Sequence, residues 1–98
     1  MLFGWFNAKE AHQFGAELAH FFILKMPLDT QRKDKKFAVK TQATLDKIDQ
    51  RVRQFQVTHK LNLYTRAKLA NNFKWTLKDA GYDMAYVEQL TEWLVKRL

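Results

Sequence analysis

Between Leu28 and Ala80 the chain contains neither glycine nor proline, and this constrains the fold more than any other feature. One unbroken helix over that run would extend roughly 80 Å at 1.5 Å per residue, too long for a compact monomer of this size. The run must break by capping alone, or the protein must be an extended or swapped oligomer. The side-chain pattern places the break. Ala38, Thr41, Leu45, Ile48, Val52, Phe55 and His59 recur at alternating steps of three and four, a narrow apolar seam on one helix face. Beyond His59 the apolar positions become Leu63, Ala67, Ala70, Phe73 and Leu77, so the seam slips by about one residue. Asn62 stands at the slip and has the chemistry to cap a new helix; a stutter within one continuous helix is the competing reading.

The flanking segments are punctuated more openly. Asn7 and Glu10 have capping-box spacing, and Ala11, Phe14, Leu18, Phe21, Phe22 and Met26 then share one face until Pro27. Gly81 can take the left-handed conformation that follows a helix, and Asp83 is placed to cap the next one. Tyr82 and Val87 have the spacing of a hydrophobic staple, and Met84, Val87, Leu90, Leu94 and Leu98 form the buried stripe, with Trp93 at its margin. Val, Ile and Thr nowhere alternate with polar residues for long enough to make a strand. The expectation is an all-α, compact bundle of three to four helices over about 8–26, 30–59, 62–80 and 83–97, in a single helical domain 1–98. The charged opening "DTQRKDKK", 29–36, reads as a solvated loop or as frayed helical turns.

With 98 residues, 47% of them hydrophobic, the chain can bury one core but not two. It has no cysteine, which removes disulfides and thiolate metal sites, leaves stability to packing, and fits a reducing, cytoplasmic setting. No early basic region leads into an unbroken apolar stretch as in a signal peptide. The longest apolar run, Phe21 to Leu24, falls far short of the roughly 20 residues of a membrane span.

The formal charge of +7 is concentrated in the middle: residues 1–28 sum to zero, 29–60 to +5, 61–81 to +3 and 82–98 to −1. Such a field attracts polyanions without choosing among nucleic acid, anionic lipid and acidic protein. On a helical wheel Lys60, Tyr64, Lys68, Asn71, Trp75 and Lys78 share an arc of about 80°, away from Leu63, Ala70, Phe73 and Leu77. Lysines that neutralise phosphates and rings that stack on bases make these six the candidate polyanion-binding residues, joined by Lys33, Lys36, Arg51 and Arg53. The ordinary alternative is that Tyr64 and Trp75 pack beneath another helix, with lysine stems over their edges.

Other constellations carry less. Ala80, Gly81, Asp83, Val87 and Leu90 fall where a DNA-reading helix-turn-helix wants small, turn, cap and core residues, but Leu77 stands where that motif needs a small one. Its recognition helix would also turn Asp83, Glu88 and Glu92 toward phosphates. Glu17 and His20 have the spacing of carboxylate-bridged iron bundles, whose second Glu-x-x-His is missing; His12 and His59 lie apart from them in sequence. No nucleophile elbow or glycine-rich phosphate loop occurs, so neither an enzyme nor a cofactor is expected. "MLFGWF" carries Leu2, Phe3, Trp5 and Phe6, an apolar load suited to covering the bundle end, to a homodimer contact, or to peripheral membrane attachment. The alternative to polyanion binding is therefore self-association through the 38–59 seam or this N-terminus, with charge serving solubility.

Overall fold

The fold is that of a computed structural model, which describes the backbone of residues 3–27 and 35–98 and the side chains of 8–27 and 36–98. Four helices account for nearly all of it: α1 Phe3–Lys25, α2 Lys35–Thr58, α3 Leu63–Asp79 and α4 Met84–Arg97, with no strand among the described residues. The longest dimension is 48 Å, well short of the rod that an unbroken middle segment would make.

Asn62 makes the break. Its side-chain oxygen accepts from the Thr65 amide at 2.8 Å while its own amide donates to the Thr65 hydroxyl at 2.8 Å, a reciprocal capping box with threonine in the place of the usual Glu or Gln. At the other end of α3, Gly81 adopts φ 101°. The Gly81 amide donates to the Lys78 carbonyl and the Tyr82 amide to the Leu77 carbonyl, so the last carbonyls of α3 are satisfied in a Schellman turn. The side chains of Leu77 and Tyr82 are both buried beside it. Asp83 then accepts from the Tyr86 amide and caps α4, and Tyr82 and Val87 are buried on either side of the cap.

The first helix starts earlier than the Asn7 cap implies. α1 is already helical at Phe3, and Asn7 lies inside it. An asparagine in a helix interior costs only some tenths of a kcal/mol, too little to stop a chain whose preceding residues can be helical. Glu10, the other half of the expected box, turns instead to His59 at the end of α2. The side chains of Leu2, Phe3, Trp5 and Phe6, the segment 29–34 and Lys33 lie outside the described residues.

α1 and α3 approach most closely, α4 lies against α3, and α2 completes the bundle against α1 and α4. Hence α2 and α3, joined by a short turn, scarcely meet: they are separate rods, but each folds onto α1 and α4 and not onto the other. Small residues set this order. Ala11, Gly15 and Ala19 are buried along one edge of α1, and a Cβ on Gly15 would overlap the Leu69 carbonyl of α3. Asn72 ties the crossing by donating to the His12 carbonyl.

The core comprises Leu18, Phe22 and Met26 of α1, Ile48 and Val52 of α2, Leu69, Ala70, Phe73 and Leu77 of α3, and Val87, Leu90 and Leu94 of α4. The expected α2 seam is right at Ile48 and Val52, whereas Ala38 is exposed and Phe37 packs against the core in its place. On α3 the expected Leu63 and Ala67 are exposed, and Thr65 and Leu69 are buried instead. The capping box explains the difference, because it turns Thr65 inward and so sets the phase of the first turn. Tyr82 donates its hydroxyl to the Met26 carbonyl, closing the C-terminal end of α1.

Candidate functional site

The outward face of α3 follows from its inward one. With Thr65, Leu69, Ala70, Phe73 and Leu77 committed to α1 and α4, the helix period turns Tyr64, Lys68, Asn71, Trp75 and Lys78 to solvent. Trp75 is 46% exposed and Tyr64 60%. Among the described residues these two rings are not packed beneath another helix, because none of the four helices covers this side of α3. Lys60, also exposed, precedes the Asn62 cap at the same end as Tyr64. All six predicted residues are thus at the surface, five of them on one helix face.

The charges on this face are held over the rings. The Lys78 ammonium lies 4.6 Å and that of Lys74 5.5 Å from the Trp75 ring centroid, and the Lys68 ammonium lies 5.5 Å from that of Tyr64. These are cation–π distances, each worth about 0.5–1 kcal/mol at an exposed site. Lys74 was not among the predicted residues because the wheel puts it on the flank; its position next to Trp75 in sequence is the signal that could have included it. A second missed signal is plainer. From Gln50 to Lys78 the chain has no Asp or Glu, yet it carries Arg51, Arg53, Lys60, Arg66, Lys68, Lys74 and Lys78.

The face is bounded on one side. A shallow groove of about 200 Å³ brings Lys74 together with Glu88, Thr91 and Glu92 of α4. Those two carboxylates repel an anion from that flank, so the open approach to Trp75 lies on the side away from α4. They also occupy the exposed surface of the helix that a helix-turn-helix would use for reading DNA, and Asp83 there is engaged as a cap. Leu77 is fully buried between the two helices, where the motif asks for a small residue.

A second concavity, an open cleft of about 550 Å³, lies between α1 and α2 and includes Glu10, Phe14, Glu17, Arg51, Phe55 and His59. The Phe14, Phe55 and His59 rings stack in parallel at centroid spacings of 4.2 and 4.1 Å, and His59 Nε2 meets the Glu10 carboxylate. Arg51 lies 4.2 Å from the Phe21 ring. These contacts fasten the end of α2 to α1, which no spacing along the sequence announces. Glu17 and His20 are exposed, and no group of three or more His, Asp or Glu side chains that could hold a metal is found among the described residues.

No family model matches the chain, and no curated protein or solved structure matches it either.

Proposed function

We propose that the protein is a small, non-catalytic binding module that holds a polyanion, nucleic acid foremost, on the outward face of α3. The observation that carries this reading is the 46% exposure of Trp75, a residue that normally seeks burial, with two lysine ammonium groups about its ring. The surrounding acid-free segment supplies the field that draws a polyanion in, and Lys68 and Lys78 supply the contacts that neutralise it. The test is a titration with single-stranded oligonucleotide at several salt concentrations. Binding weakens steeply as salt rises, and the double variant Lys68→Gln/Lys78→Gln lowers the log–log salt slope by about 1.4, two contacts at roughly 0.7 each. A flat titration at low salt removes the proposal.

Self-association is the second reading, and one surface favours it. Val39, off the 38–59 seam, is 70% exposed on the first half of α2, next to Ala43, while Ile48 and Val52 of the seam are enclosed by the bundle. A dimer through α2 would use Val39, and Val39→Glu would dissociate it in sedimentation; a species that stays monomeric at high concentration excludes it.

A further inference from the structure

We infer that the α3 face takes single-stranded nucleic acid in preference to a duplex, reading no particular sequence; this rests on the proposed polyanion binding and names its substrate class. Tyr64 and Trp75 are eleven positions apart on one helix, about 16 Å along the axis. Both present ring surface to solvent. Base faces that could meet them are stacked away inside a duplex and are free in a single strand. Two rings so separated would hold bases a few nucleotides apart, with the intervening backbone crossing Lys68 and Asn71.

The lysines supply the exchange. Each ring already has an ammonium group 4.6–5.5 Å from its centroid, so an arriving base replaces a cation on the ring face. The displaced ammonium stays tethered within reach of that nucleotide's phosphate. Ring and lysine thus engage the two ends of one nucleotide, a pairing that a featureless anion such as heparin cannot use. Of the groups that read base edges, Arg, Asn and Gln, this outward face presents Asn71 alone between the two rings, since Arg66 lies on another side of the helix and Asn72 is bonded to His12, which leaves stacking as the main discriminator and makes binding sequence-tolerant. Glu88 and Glu92 on α4 close one flank of Trp75 and oppose a broad duplex more than a thin strand.

The experiment compares an oligothymidylate, a hairpin duplex of equal phosphate number, heparin and phosphatidylserine vesicles against the full chain at one low salt concentration. The expected result is single-strand affinity about tenfold above duplex, with Trp75→Ala and Tyr64→Ala each lowering single-strand affinity about tenfold and leaving heparin affinity unchanged. Trp75→Phe, which keeps a ring, retains most of the binding. Comparison of Trp75→Phe with the unmodified protein isolates the Trp75 signal from Trp5 and Trp93, and that signal is quenched by oligothymidylate but not by heparin. Equal affinity for strand and duplex with Trp75→Ala silent overturns the strand preference and leaves polyanion binding standing. No binding to either nucleic acid or to heparin overturns both, as does binding to vesicles alone.

Discussion

The two faces of α3 carry similar residues to opposite ends. Phe73 is 1% exposed and Trp75, two positions on, is 46% exposed. Both are aromatic, both sit in the middle of a helix, and composition does not separate them. What separates them is that one lies on the side where α1 and α4 approach and the other where none of the described helices does. An aromatic residue at helical spacing is therefore evidence of a surface to be covered only when a covering element exists. Lysines mark the uncovered side, since their ammonium groups can remain in water while the stems lie along the ring.

The largest expected effects come from the covered side. Phe73→Ala removes a fully enclosed ring and lowers unfolding free energy by about 3–5 kcal/mol, whereas Trp75→Ala, which loses two exposed cation–π contacts, lowers it by about 1–2 kcal/mol. Urea unfolding of both variants tests the contrast directly, and comparable losses at the two positions would erase it. Gly15→Ala comes next. In an isolated helix the change would stabilise by about 1 kcal/mol, but here the new methyl meets backbone of α3, which cannot yield without lifting the inner face off α1. A net loss of about 1–3 kcal/mol in the same assay is expected, and a gain would mean that α1 and α3 cross less closely at Gly15.

The smallest effect separates two tyrosines. Tyr86 packs against Phe22 and Tyr82, and its hydroxyl is buried with no hydrogen-bond partner among the described residues, while the Tyr64 ring lies in solvent. Burial, reinforced by the neighbouring Tyr82, pushes the Tyr86 phenol above its ordinary value of 10.0. The fold thus favours the protonated form: its contribution is fully present below about pH 10 and is lost as pH rises through the raised folded value. Tyr86→Phe is accordingly neutral or stabilising by up to about 1 kcal/mol at pH 7, and its midpoint of alkaline unfolding moves to higher pH. Tyr64→Phe leaves both quantities unchanged. Circular dichroism against pH measures the difference, and identical alkaline midpoints for the two variants would refute the buried phenol.

Much of the candidate site was legible because it depends on one helix only. Once Leu69, Phe73 and Leu77 face inward, the helix period alone places Tyr64, Lys68, Asn71, Trp75 and Lys78 on the other side. Exposure was not legible in the same way. Whether Trp75 is wet depends on where α2 lies, and α2 is set against α1 and α4 by contacts such as Phe14 on Phe55 and His59 with Glu10. Those partners are separated in sequence by forty residues or more, and no periodicity links them. Lys74 was missed for a related reason: its ammonium reaches round the helix toward Trp75, and a wheel records Cα directions, not the ends of flexible side chains.

By itself the sequence determined the helical class, the break at Asn62, the left-handed turn at Gly81 and the Asp83 cap, because each is settled within a few residues by backbone hydrogen bonding. Tertiary structure alone decided that Trp75 would stay exposed while Phe73 is enclosed, and that α3 would pair with α1 across Gly15 and not with its neighbour α2. These are choices among helix faces of similar apolarity, and close packing resolves them through shape: a strip of small residues on α1 allowed one helix to approach closely, and the face it left uncovered is the one with the lysines.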